Sequence, residues 1–202
     1  MKLLNLSGGG ISALLGLQLY QIYYPSGCDA QIGDHTCNPC EIVEGSRIRS
    51  AGFIKKGFSF INPSNPVEWI AAIAAKNVIV IPFVNGSFDG GAEVLKDGFG
   101  DQVQKLTGYN FTAEFKDPNY YPNGAFWNGI KNSTQYKFFY RTATQIHLTA
   151  ATVQVIPKNP VTTDPTDEVL WDITVKWADQ NLPLPVPTPA GIFDNCFDYN
   201  GL

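Results

Sequence analysis

Across residues 107–115 the side chains alternate, and this constrains the fold more than any other feature of the chain. Thr107, Tyr109, Phe111, Ala113 and Phe115 share one side; Gly108, Asn110, Thr112 and Glu114 share the other. Successive side chains leave a pleated backbone on opposite faces, so a period of two rich in aromatics predicts a half-buried strand. Trp171, Ile173, Val175 and Trp177 alternate in the same way with Asp172, Thr174 and Lys176. Between these runs, Asp117-Pro118 has the form of a helix N-cap followed by proline at the first helical position. A short helix is expected there, with Phe126, Trp127 and Ile130 inward and Asn132-Ser133 at its end. Strands over 135–141, 144–149 and 152–157 follow. Strand, helix and meander together predict one sheet with one helix against it.

Upstream, residues 1–24 predict one or two strands. Their apolar stretch is interrupted by Gly8, Gly9 and Gly10 and carries a single lysine, so it is taken as mature chain rather than a leader. Residues 46–61 predict a long strand or hairpin, with Gly52 and Gly57 marking a bulge or bend. Asn65-Pro66-Val67-Glu68 has the spacing of a capping box, and a helix over 66–76 would turn Trp69, Ile70 and Ile73 to a sheet and leave Asn77 past its end. Residues 78–84 (VIVIPFV) predict a strand buried on both faces, with Pro82 at an edge or bulge. Residues 85–101 predict a long glycine-rich loop suited to binding or assembly. Residues 157–168 predict a second loop. The expected organisation is one β-rich domain over 1–181, then an extended tail over 182–202 whose Pro183, Pro185, Pro187 and Pro189 favour polyproline geometry. The tail is expected to reach across a neighbouring subunit. A faint echo relates Trp69 and its flanking strands to Trp127 and its own.

Charge is scarce: 16% of the 202 residues are Asp, Glu, Lys or Arg, against 44% hydrophobic and 13% aromatic. Aromatic and threonine-rich composition with few charges predicts a β-rich globular protein whose uncharged surface suits packing against other subunits. The net charge is −4. Arg47, Arg49, Lys55 and Lys56 are the densest basic positions, and they fall on a predicted strand, which argues against tight neutralisation of nucleic-acid phosphates. No apolar run approaches the ~18 residues that a membrane-spanning helix needs.

The most specific chemical pattern is Cys28, His35, Cys37 and Cys40, within the irregular segment 25–45. A Cys-x2-Cys pair brings two thiolates to tetrahedral spacing, so these four residues are candidate zinc ligands, with Cys196 a further thiol. The second half of a usual zinc site is missing, and free thiols or disulfides account for the same cysteines. His147, between Ile146 and Leu148, has the place of a polar-face strand histidine. No nucleophile elbow or phosphate loop occurs. Asp89, Asp97 and Asp101 lack the spacing of a calcium loop and are expected in solvated turns. Asn5, Asn85, Asn110 and Asn132 begin glycosylation sequons of the kind that Asn/Thr-rich chains acquire by chance.

Several stretches carry a resemblance: EGSRIRSAGFIKKGFSFINPSNPVEWIAAI, VNGSFDGG, LTGYNFTAEFKDPNYYPNGAFWNGIKNSTQYKFFYRTATQIHL, IPKNPVTTD and VLWDITVKWADQNLPLPVPTPAGIFD. Over roughly residues 41–195 the chain resembles virion structural proteins of tailed phages of Bacteroides- and Flavobacterium-like hosts, crAss-like phages among them. The resemblance implies a mainly-β fold: a tail-tube-like β-sandwich or barrel with one or two short flanking helices. It implies a non-enzymatic ring or tube subunit of the tail or neck, assembled in the bacterial cytoplasm and resident in the virion. The implied partners are further copies of the chain and adjacent tail or neck proteins. DNA would be passing cargo in the lumen, and no membrane or cofactor beyond the candidate zinc is implied. The second expectation is a carbohydrate- or host-surface-binding sandwich that uses exposed Trp and Tyr side chains, and an enzyme is the third.

Overall fold

The computed structural model describes residues 46–193, apart from 132, 162 and 165. Ten strands and two short helices follow in order: β1 (Ser50–Lys55), α1 (Pro66–Ala74), β2 (Val78–Ile81), β3 (Asn85–Phe88), β4 (Ala92–Lys96), β5 (Lys105–Asp117), α2 (Gly124–Ile130), β6 (Tyr136–Arg141), β7 (Gln145–Thr152), β8 (Gln154–Lys158), β9 (Trp171–Asp179) and β10 (Pro185–Pro187). The fold is mainly β, a sandwich of two antiparallel sheets. One sheet has the order β10-β7-β6-β1-β2; the other has the order β3-β5-β9-β8, with β4 also on β5.

The alternating runs do what their period requires. In β5, Phe111, Ala113 and Phe115 are buried, and in β9 Trp171, Ile173, Val175 and Trp177 face the same core. The two strands pair from Tyr109↔Asp179 to Asp117↔Trp171. Opposite them, Phe53, Phe138 and Tyr140 project from the first sheet, and Phe115 stacks on Phe138 at 6.1 Å. The other face of the first sheet is covered by α1. Trp69, Ala72 and Ile73 pack there on Ile54, Val78, Val80, Phe139 and Ile146. A sheet buried on both sides explains why 78–81 reads as a continuous apolar run.

The expected single sheet is not found. β5 and β6 lie in different sheets, because the chain between Asp117 and Tyr136 crosses the sandwich through α2. The meander divides too: β7 and β8 are separated by Val153, which is buried between the sheets. At β6 and β7 the register slips between Lys137 and Phe139. There the Thr149 hydroxyl accepts from the Phe138 N–H and donates to the Phe138 carbonyl, replacing the ladder bonds the slip removes.

Both helix starts are informative. At α1, Asn65 is the N-cap and accepts from the Val67 N–H at 3.1 Å, with Pro66 at the first helical position. Glu68 does not close the expected box onto Asn65. Its carboxylate reaches further back, accepting from the N–H groups of Ile61 and Asn62 at 2.6 and 2.9 Å. Ile70, expected inward, is exposed; Ala72 takes its place, because the inward arc runs through 69, 72 and 73. The helix closes with Lys76 at φ 55, its N–H bonded to the Ile73 carbonyl and that of Asn77 to the Ala72 carbonyl. This is the left-handed cap that ends many helices.

At α2, Asp117 is not the N-cap. It ends β5, fully buried, and Asn123 precedes the helix. The Asp117 carboxylate accepts from the Asn119 N–H at 3.0 Å, the Asn123 Nδ2 at 2.8 Å and the Trp127 Nε1 at 3.0 Å. It caps the whole turn, and a buried carboxylate with three donors is more strongly held than an N-cap could hold it. Gly52 marks no bulge either. It sits in unbroken register, where a Cβ would overlap the Ile79 carbonyl and the Phe139 ring.

Candidate assembly surface

Of the expected loop 85–101, only 97–101 is loop; residues 85–96 form one interrupted edge strand along β5. β3 pairs from Asn85↔Lys116 to Phe88↔Ala113, and β4 from Ala92↔Asn110 to Lys96↔Lys105. Between them Gly90 and Gly91 take φ of 80 and 94. Asp89 Oδ1 accepts from the Gly91 N–H, which sets the bulge, and a Cβ on Gly91 would enter the Phe111 ring. Glycines at these positions predict a loop, yet here they let an extra residue pass without breaking the edge.

Beyond the bulge the hairpin outruns its sheet. β9 ends at Asp179, opposite Tyr109, whereas β5 and β4 continue to the Lys96↔Lys105 pair and the loop 97–104. All five residues of β4 and the first three of β5 are exposed. Glu93 lies opposite Tyr109, and Leu95 opposite Leu106, so Leu95 follows Glu93 on the face that Tyr109 shares with the core. The apolar side of β5 therefore continues past the end of the sandwich with no second layer over it among the described residues. Leu95 and Leu106 are half exposed, and Phe99 and Val103 in the loop are 88% and 82% exposed. The arm has its own internal order. Thr107 Oγ1 donates to the Val94 carbonyl at 2.8 Å, and Gln104 Nε2 donates to Asp97 Oδ1 at 2.7 Å.

At the foot of the arm, Asp179 borders two grooves. One is lined by Val94, Tyr109 and Ala178; the other by Leu148, Trp177, Leu182 and Leu184. Leu182 and Leu184 are exposed. The segment they belong to is not an arm. Val186 pairs with Ile146 in β10, Ile192 and Phe193 are buried against Trp69 and Phe139, and the Arg141 guanidinium lies 5.4 Å from the Phe193 ring centre. Ile192, in the tail expected to reach across a neighbouring subunit, is 2% exposed within its own chain. The prolines supply the reason. Pro185 and Pro187 lack N–H donors, so they suit the outer side of an edge strand that bonds through the alternate residues Val186 and Thr188.

The other sequence-predicted residues separate. Cys28, His35, Cys37, Cys40 and Cys196 lie outside the described residues. Among the described residues no three His, Cys, Asp or Glu side chains converge on a metal-sized site. His147, expected on a polar strand face, pairs opposite Tyr140 and stacks on it at 4.6 Å, on the side that Tyr140 turns to the core, and its Nδ1 lies 3.4 Å from the Pro183 carbonyl. Burial of Tyr140, with Asp89 nearby, pushes its phenol well above the usual range. All four tryptophans are buried or nearly so, at 0%, 0%, 8% and 6% for Trp69, Trp127, Trp171 and Trp177. The tryptophans therefore offer no exposed sugar-stacking face, whereas Tyr121 is exposed. No described helix is long and apolar enough to cross a membrane. The exposed leucines of the arm were visible in the sequence, but their face was not, because the bulges reset the alternation.

Comparison with known protein families, with curated proteins and with solved structures finds no match for this chain.

Proposed function

We propose that this chain is a structural subunit that self-associates through the β4–β5 arm into rings or a stacked tube, as in the tail or neck of a tailed phage. DNA would pass through the lumen as cargo, and adjacent tail or neck proteins would complete the virion structure. One observation carries this reading: an ordered hairpin that leaves the sandwich with Leu95, Leu106, Phe99 and Val103 exposed on it. Burying four such side chains contributes roughly 1.5–3 kcal/mol each, which favours a partner over solvent. An arm that docks on a different surface of the next copy forms a heterologous contact, and such contacts close into rings when the rotation allows. A mildly acidic chain also suits a channel along which DNA must slide.

Light scattering on two proteins tests this. The first is the parent chain. In the second, an Asn-Gly turn replaces 97–104 between the paired Lys96 and Lys105, with Leu95→Ser and Leu106→Ser; a two-residue turn fits this register. The parent should be oligomeric and the variant monomeric with unchanged circular dichroism, since none of these residues belongs to the core. An oligomer of undiminished size in the variant would place assembly elsewhere.

A further inference from the structure

Two local patches, the arm and a cleft near the far end of β1, differ in charge. β1 begins near Ile48, which pairs antiparallel with Gly86, so β3 and the arm run away from the end where β1 finishes. On the arm side, residues 89–105 hold Asp89, Glu93, Asp97 and Asp101 against Lys96 and Lys105. Asp179 at the foot of the arm adds another carboxylate. At the far end of β1 a cleft of about 370 Å³ is lined by Lys55, Lys56, Gly57, Phe58, Asn77, Gln135 and Tyr136. No acidic side chain lines it. Lys76 immediately precedes Asn77, and Lys131 opens the segment that leads to Gln135; both are exposed. Among the described residues Lys55, Lys56, Lys76 and Lys131 enter no ion pair. Lys137 differs, because its Nζ is held by the Phe58 carbonyl and Ser59 Oγ. Half-buried Phe58 and Tyr136 give the cleft an apolar wall between the lysines.

We infer that this lysine-lined cleft receives the arm tip of a second copy of the chain, so that copies join head to tail. The inference rests on the assembly role proposed for the arm. Phe99 is the apolar knob that the Phe58–Tyr136 wall suits, and Asp97 and Asp101 flank it as partners for Lys55 and Lys56. Lys55 and Lys56 line the cleft without a carboxylate partner and repel one another, and an arm with excess carboxylate relieves that repulsion. Like ends repel, so the same charges oppose arm-to-arm and cleft-to-cleft pairing. A head-to-tail contact leaves a free arm at one end of a growing assembly and a free cleft at the other, so it propagates.

Sedimentation of four full-length proteins tests the inference: the parent, Lys55→Glu/Lys56→Glu, Asp97→Lys/Asp101→Lys, and the quadruple variant. All four positions are exposed, and circular dichroism should be unchanged throughout. Each double variant alone should associate at least about tenfold more weakly than the parent. An equimolar mixture of the two doubles, and the quadruple variant, should recover association, because reversed charges meet again. Association of the parent should weaken as salt is raised. If the Lys55→Glu/Lys56→Glu protein assembles like the parent while the arm-shortened protein does not, the cleft is not the acceptor, and the arm reading stands without it. If the mixture fails to recover association, the pairing is likewise overturned. A parent that stays monomeric overturns both. If a DNA oligonucleotide occupies the cleft and competes away self-association, the lysines serve phosphate rather than a second copy, and the inference falls.

Discussion

Asp117 is the residue on which one end of the sandwich turns. Its carboxylate, without exposure, holds the Asn119 backbone, the Asn123 side chain and the Trp127 indole, and so ties the end of β5 to α2. Removing it would leave three donors short of an acceptor, at about 1–3 kcal/mol for a buried group left unpaired. Asp117→Ala should therefore lower the unfolding free energy by about 3 kcal/mol in urea, and a loss below about 1 kcal/mol would contradict this account of the turn. Tyr140 makes a prediction of a different kind. Its phenol is held above the ordinary tyrosine value by burial first and by Asp89 second. A raised folded value means that the contribution is fully present below about pH 10, the unfolded value, and is lost as pH rises beyond it. Tyr140→Phe should flatten the alkaline fall in melting temperature, and an unchanged alkaline profile would contradict the assignment.

At the scale of elements, the C-terminal strand makes the sharpest prediction. β10 adds to the edge of β7, and Ile192 and Phe193 fill the layer between α1 and the sheet. Ending the chain at Asn181 should therefore destabilise the protein by about 3–6 kcal/mol, the burial of two large apolar side chains, rather than leave a folded monomer. A truncated protein with the parent's melting temperature would show the strand to be dispensable. Strands with strict alternation, β5 and β9, were legible in the sequence because a single period determines which residues are buried. So was α1, whose proline, cap and Trp69 all point one way. The tail was not legible, because a run of prolines looks the same in solution and on a sheet edge. The arm was missed for the converse reason. Gly90 and Gly91 signal a loop when seen alone, and only the register with Thr112 and Phe111 reveals a bulge in a continuing strand. The side of the sandwich on which each strand lies was also hidden, because Asp117 redirects the chain through contacts ten residues apart.

For the molecule as a whole, a closed core coexists with an open appendage. The sandwich satisfies its own apolar residues from Phe53 to Trp177, so nothing in its stability requires the arm. The arm in turn carries apolar side chains that nothing among the described residues covers, together with carboxylates that match the lysines at the opposite end. A fold that is complete without its arm, and an arm that is incomplete without a partner, is the arrangement expected of an assembling subunit. Electron microscopy of the purified full-length chain tests this most directly. The account predicts closed rings or stacked tubes that disappear when 97–104 is replaced by the short turn; single particles of one chain at every concentration would contradict it.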